Sequence, residues 1–297
     1  MRIVQIPKRN GKFRTIYIPT REQRDKLREL VPELMALHAM RPSSRAVHGF
    51  YKDRSPVTNA LEHVNREYTI TFDMRDFFDT VTEELIDGMF PATLLEDVLV
   101  DGAARQGLPT SPALANLAAS TLDQAILRWS RMRKAIYTRY ADDLTISTDS
   151  ADVRDEALRD IPLLVSVCGF QLAPEKTHVY CAKAGRRIVT GVAVDDGIHP
   201  TRSAKRRLRA ARHQGNESRA RGLQEWCKLR LPKAARQEWL RRLQGEYGRN
   251  MRHLIIPGLA EDMELPDEAA SVPADISEPA TDSPTDAAGR TRRIQLR

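Results

Sequence analysis

Ala135-Ile-Tyr-Thr-Arg-Tyr140-Ala141-Asp142-Asp143-Leu144-Thr-Ile-Ser147 is the stretch whose reading decides the fold. Its flanks are rich in β-branched and aromatic residues and read as two strands, with Ala-Asp-Asp bending between them. The hairpin so predicted carries two adjacent carboxylates at its tip. Like charges side by side repel, and a fold keeps them most readily when a divalent cation offsets them. The alternative is a solvated turn, because Asp is common in turns.

Working outward, Tyr68-Thr-Ile-Thr-Phe72 is a second β-rich run, ending on Asp73 and continuing as Met-Arg-Asp-Phe-Phe-Asp79. An Asp at the end of a buried strand, beside a hairpin carrying two more, completes an oxygen-rich site of the kind Mg²⁺ prefers. Phosphoryl transfer uses such a site, with two metal ions roughly 4 Å apart serving the attacking and leaving oxygens. Asp76 and Asp79 have a second reading, as caps of a helix starting near Thr82. Between these segments lies Gln106-Gly-Leu-Pro-Thr-Ser-Pro112. Ser111 suits an N-cap and Pro112 the first helical turn, and Leu114, Leu117, Ala118, Leu122 and Ile126 recur at helical spacing through residue 131. Gly107 would let the backbone approach a ligand, and Gln106 would hydrogen-bond a sugar or base edge.

The order and content of these segments resemble the reverse transcriptases, most closely the bacterial retron type. The motifs are Phe72-Asp-Met-Arg-Asp-Phe-Phe78, Gln106-Gly-Leu-Pro-Thr-Ser-Pro-Ala-Leu-Ala-Asn116, Tyr140-Ala-Asp-Asp143 and Leu172-Ala-Pro-Glu-Lys-Thr177. Asn59-Ala-Leu-Glu-His63 and Val189-Thr-Gly191 resemble two retron signatures, and Ile6 to Ile16 is similar to the family's fingers region. Leu108 departs from the more usual alanine, and the stretch from Phe78 to Gln106 is short.

The resemblance implies roles residue by residue. Asp73, Asp142 and Asp143 would hold two Mg²⁺ ions, with Mn²⁺ able to replace them. Lys176 would protonate departing pyrophosphate, its alternative being an ordinary surface lysine. Phe78 would be the steric gate against a 2′-OH, while Gln106 and Gly107 line the nucleotide pocket. Lys12 and Arg14 would clamp the triphosphate of the incoming dNTP or contact template phosphates. Asn59 and His63 would contact RNA or form a buried polar pair; Val189, Thr190 and Gly191 would lie where the primer end is gripped. The implied activity is RNA-directed DNA polymerisation that copies a cognate structured non-coding RNA from a 2′-OH primer into RNA-linked DNA, with a role in antiphage defence. Alternatives are a group II intron-like or CRISPR-associated reverse transcriptase, or a largely non-catalytic RNA-binding scaffold restraining a toxic effector protein.

Composition points the same way. The chain has 297 residues and a net charge of +7, which favours a polyanionic partner. Residues 200–260 hold sixteen Lys and Arg against four Glu, and Arg202 to Arg212, with Lys205, Arg206 and Arg207 at its centre, reads as a basic helix. Trp226 and Trp239 follow, more readily core than stacking platforms. Residues 261–289 reverse the charge and hold few large apolar side chains, the composition of a disordered extension. Cys168, Cys181 and Cys227 show neither zinc nor disulfide-framework spacing. No apolar run reaches membrane-spanning length and the first residues lack a signal-peptide core, so a cytoplasmic protein with no membrane partner is expected.

The expected fold class is α+β, a right-hand polymerase with fingers, a ferredoxin-like palm and a helical thumb. Residues 1–200 would form fingers and palm, 201–260 the basic thumb and 261–297 the disordered tail. Helices are predicted over 22–37 and 154–167, a strand over 177–181, and a hairpin of Ile188–Val194 with Ile198-His199 across the turn Asp195-Asp-Gly197. No nuclease segment is read after the thumb.

Overall fold

The computed structural model describes residues 1–8, 11, 13–86, 95, 98–233 and 235–237, all within the unit Met1–Asp262. Lys12, Trp239, the end of the expected thumb and the whole acidic tail lie outside the described residues. The chain begins with an antiparallel ribbon, β1 (Arg2–Pro7) and β2 (Phe13–Ile18), followed by α1 (Arg21–Ala39). Thr20 and Gln23 close the first turn of α1 as a capping box, each side chain accepting from the other's backbone N–H. A 3-10 turn (Pro42–Ala46) leads to α2 (Pro56–Leu61), opened in the same way by Ser55 and Thr58.

The central unit then runs β3 (Tyr68–Asp73), α3 (Phe77–Thr80), α4 (Glu83–Ile86), α5 (Ser111–Ala118), α6 (Ser120–Met132), β4 (Ile136–Tyr140), β5 (Asp143–Thr148), α7 (Ala151–Val167) and β6 (His178–Cys181). Its sheet has the order β4-β5-β3-β6 with every pair antiparallel, the ferredoxin-like arrangement expected of a β-α-β-β-α-β chain.

The period of two along the strands separates the two faces of this sheet. Ile70, Phe72, Tyr137, Leu144 and Ile146 enter the main core with Leu34 of α1, Leu114 and Leu117 of α5, Leu122 and Ile126 of α6 and Ile161 of α7. Each such buried side chain contributes about 1.5–3 kcal/mol relative to exposure. Thr69, Thr138, Thr145 and Ser147 face the other way and are equally buried. Over them lies a second, smaller core in which Val57, Ala60 and Leu61 of α2 pack with Val189, Val192, Val194 and Ile198. Those valines belong to a three-stranded meander, β7 (Arg187–Val189), β8 (Val192–Val194) and β9 (Ile198–Pro200), which precedes α8 (Arg202–His213) and α9 (Glu217–Cys227).

Three expectations change. The run Ile188–Val194 is two strands rather than one: Thr190 and Gly191 have φ of 45° and 80°, and positive φ at both central residues is the requirement of a type I′ hairpin turn. Ser111 starts α5 rather than capping it; its hydroxyl donates to the Arg105 carbonyl at 2.7 Å, and the predicted long helix divides at Ala119. Among the described residues Asp79 makes no capping bond and accepts a 3.0 Å bond from Arg105, while Asp76 occupies the N-cap position of α3 without a side-chain capping bond.

Candidate active site

Register brings the three carboxylates to one end of the central sheet. Asp73, the last residue of β3, stands directly opposite Asp143, the first of β5, and the Met74 N–H donates to the Asp142 carbonyl at 2.9 Å. Directly opposed Cβ atoms in an antiparallel pair lie about 4.5–5.5 Å apart. Ala141 takes a left-handed φ of 56° so that Tyr140 and Asp143 can pair across a two-residue turn.

The cluster is electrostatically uncomfortable. Burial, then the neighbouring charges of Asp142 and Asp73, push the Asp143 carboxyl up to about 7. Asp142 is also raised, chiefly by burial, with Asp73 adding to the shift. Lys176 offers partial relief: its Nζ lies 2.5 Å from Asp73 Oδ1, and that hydrogen bond raises the ammonium pKa. Oxygen ligands in excess, mutual repulsion and a resident ammonium are the properties of a site suited to a hard divalent cation. Exposed Arg14 acts on Asp142 in the same sense as Lys176, lowering its pKa.

Around this cluster, half-buried Phe78 sits with its ring centroid 5.9 Å from Phe50 and 5.7 Å from Phe77. Gln106 is half-buried and its backbone carbonyl accepts from the Tyr17 N–H at 2.8 Å. Gly107, with φ of 108°, is required by the protein itself: a Cβ there would lie 2.3 Å from the Tyr17 carbonyl oxygen of β2. The close approach attributed from sequence to a ligand is therefore one made by the chain's own ribbon.

Asn59 and His63 do not reach a surface. Both are fully buried, which corrects the RNA-contact reading in favour of internal polar packing. His63 is hydrogen-bonded to Ser147 Oγ at 2.8 Å and Thr138 Oγ1 at 2.7 Å, and burial holds its pKa well below the usual value, so the ring is neutral. Neither amide atom of Asn59 has a partner among the described residues. Val189 is buried too, whereas Thr190 is half-buried, with its hydroxyl donating to the Pro56 carbonyl at 3.0 Å, and Gly191 is exposed.

Lys205, Arg206 and Arg207 are exposed on α8, whose buried stripe is Ala204 and Ala211. Among the described residues, Arg202, Lys205, Arg206, Arg207 and Arg209 form no ion pair, while three of the four Lys and Arg residues of α1, Arg21, Lys26 and Arg28, pair with Glu22 or Asp25. An unneutralised cationic helix is an electrostatic footprint for a polyanion.

Two further features lie elsewhere. Among the described residues, one group of three offers ligand atoms within 4.8 Å of one another, and it is Asp195, Asp196 and His199 rather than the hairpin carboxylates. Asp195 is already met by Arg186 at 2.6 Å, His199 at 2.9 Å and the Gly197 N–H at 3.1 Å. A cavity of about 840 Å³ borders Tyr68, Arg66, Lys183 and Arg187, at the end of β3 remote from Asp73. No described helix is long and apolar enough to cross a membrane.

Residues 6–214 match the family model for reverse transcriptase (RNA-dependent DNA polymerase). The chain is similar to the Retron Mx65 reverse transcriptase of Myxococcus xanthus, 32% identical over 237 residues, covering 70% of this chain and 54% of that one. It is also similar to the Retron Ec86 reverse transcriptase of Escherichia coli, 28% identical over 260 residues, covering 80% and 79%. The chain thus spans about half the length of the first relative and most of the second. Among solved structures, telomerase from Candida tropicalis in complex with the TWJ fragment of telomeric RNA shares the fold, with a TM-score of 0.50 at 12% identity over 82% of this chain and 54% of that one. With a family match over most of the described residues and a ferredoxin-like sheet that ends in three carboxylates, the chain belongs to the reverse transcriptase (RNA-dependent DNA polymerase) family, in its retron type.

Proposed function

We propose that this protein is an RNA-directed DNA polymerase that copies a cognate structured non-coding RNA, starting from a 2′-OH of that RNA and leaving RNA joined to the DNA copy, in the service of antiphage defence. The observation that carries the reading is the register of β3 against β5, which sets Asp73 opposite Asp143 beside Asp142 and Lys176. Asp73, Asp142 and Asp143 would hold two Mg²⁺ ions, or Mn²⁺ in their place. Bound there, the ions would supply charge neutralisation and Lewis acidity for phosphoryl transfer.

The protein's own groups do the rest. Lys176, whose ammonium is favoured by its bond to Asp73, would give a proton to the leaving pyrophosphate. Phe78 would floor the sugar site and exclude a 2′-OH, with Gln106 and Gly107 bordering it and Arg14, together with Lys12, meeting the triphosphate. In this reading residues 1–200 are fingers and palm, and 201–260 are a thumb whose unpaired cations on α8 hold the RNA backbone. The acidic residues 261–297 follow as an extension, and an effector protein is a further partner of the nucleoprotein.

The test is DNA synthesis by protein purified after co-expression with its flanking non-coding RNA, comparing the unaltered chain with Asp142→Ala/Asp143→Ala, with and without Mg²⁺. A metal-dependent, RNase-sensitive product still joined to RNA, and absent in the variant, is expected. Tight RNA retention with no DNA under any metal or primer condition would remove the polymerase reading.

A further inference from the structure

The carboxylates sit on a two-residue turn, and such a turn has little rigidity of its own. Ala141 is a non-glycine residue at positive φ, so something outside the hairpin must hold it there. Beneath the turn lies Arg139, fully buried on the core face of β4. Its Nε and Nη2 donate to the two oxygens of buried Asp123 on α6, at 2.8 and 2.6 Å, and its Nη1 donates to both Asn116 Oδ1 and the Ala141 carbonyl, each at 3.0 Å. The Asn116 amide in turn donates to the Gly49 carbonyl at 3.2 Å. Gly49 closes the tip from the other side, where a Cβ would stand 2.3 Å from the Ala141 nitrogen. The same guanidinium lies 5.7 Å from the centroid of Phe77, the neighbour of Phe78. Four donors of one rigid fork are thus committed between two helices, α5 and α6, and the turn, an arrangement a flexible ammonium cannot reproduce.

We propose that the Arg139–Asp123 pair, with Asn116 and Gly49, is a cradle that fixes the Ala141-Asp142 turn and thereby the spacing of Asp142 and Asp143 against Asp73. Arg139 is a positioning residue that touches neither nucleotide nor metal. The inference rests on the polymerase reading for what the carboxylates do, but the cradle itself is a statement about the turn. Its sensitivity follows from the chemistry, since groups that orient metal ligands typically change metal affinity by roughly 10–100-fold when removed.

Two variants separate positioning from folding. Arg139→Lys keeps a cation opposite Asp123 but cannot serve Asp123, Asn116 and Ala141 together. Gly49→Ala leaves every charge and hydrogen-bonding group in place and only crowds the turn. Each is compared with the unaltered full chain by Mn²⁺ binding, followed as the loss of free-ion paramagnetic resonance, and by hydrogen exchange of the Met74 amide, which donates to Asp142. Thr69, at the far end of β3, serves as the internal control. Mn²⁺ binding weakened by roughly 10–100-fold, with faster exchange at Met74 and none of that change at Thr69, is the expected result. Folded variants with the affinity and the Met74 exchange of the unaltered chain would overturn the cradle. Should Arg139→Lys unfold, Gly49→Ala decides alone. If the unaltered chain neither binds Mn²⁺ nor makes DNA, the polymerase reading fails, and Met74 exchange in Gly49→Ala still decides the cradle.

Discussion

Replacing Asp143 by Asn should stabilise the metal-free protein, and by an amount that depends on pH. The Asp143 carboxyl is pushed up to about 7 in the fold from an ordinary value of 3.8. Below both values the folded and unfolded chains each hold the proton and the site contributes nothing. Between them the unfolded chain has released its proton and the folded chain has not, so stability falls as pH rises through this window and levels off above about pH 7. A shift of about three units corresponds to a ceiling of roughly 4 kcal/mol, and solvent screening of this half-buried group reduces it to about 1–3 kcal/mol. For a domain of this size that is about 3–10 °C in Tm. Thermal denaturation followed by circular dichroism, in chelator, should show coincident Tm values for Asp143→Asn and the unaltered chain at about pH 3, with the variant rising above as pH approaches about 8. Excess Mg²⁺ at the higher pH should raise the unaltered chain and leave the variant nearly unmoved, closing or reversing the gap. An unaltered chain that melts above the variant in chelator at about pH 8, or a gap of constant size at all pH, would refute the reasoning.

Other substitutions separate catalysis from stability. Lys176→Gln removes an ion pair whose lysine is 57% exposed, so chemical denaturation should report a loss below about 1 kcal/mol, while single-turnover synthesis slows by roughly 10²–10⁴-fold. Gly107→Ala places a Cβ 2.3 Å from the Tyr17 carbonyl at a φ of 108°, and denaturant titration should register a loss of about 1–3 kcal/mol. Lys205→Ala/Arg206→Ala/Arg207→Ala should lower RNA affinity without changing Tm appreciably, and the slope of log affinity against log salt should shrink by about 2. Unchanged salt dependence would move the RNA surface off α8.

What sequence could reveal depended on how local the determining physics is. The carboxylate hairpin was legible because β-branched and aromatic runs alternate on both sides of Ala141-Asp142, and the helices expected over 22–37 and 154–167 occur as Arg21–Ala39 and Ala151–Val167. The type I′ turn at Thr190-Gly191 was hidden because the β-forming residues Ile188 and Val189 before it and Val192 and Val194 after it suggest a strand that runs through Gly191. Gly107 and Gly49 were opaque for a different reason: each is required by a backbone segment distant in sequence, Tyr17 in one case and Ala141 in the other. Four residues apart, Asn59 and His63 would share a face of a continuous helix, but α2 ends at Leu61 and His63 turns into the hydroxyls of Thr138 and Ser147. Arg139 left one usable trace. Counting by twos from Tyr137 puts it on the apolar side of β4, where an arginine needs a buried carboxylate, and Asp123 lies amid the apolar stripe of the preceding helix.

The two sides of the central sheet impose different constraints on sequence drift. The side formed by Ile70, Phe72, Leu144 and Ile146 asks for volume and shape, so a compensating pair of aliphatic exchanges can pass through it one residue at a time. Its reverse is a chain of polar groups: Arg187 donates to Thr69, Thr69 is bonded to Ser147, and His63 joins Ser147 to Thr138. These members share hydrogen bonds with their neighbours, so a single exchange strands a partner in the interior. Change on that side calls for coordinated replacements, whereas the aliphatic face accommodates single exchanges of similar volume.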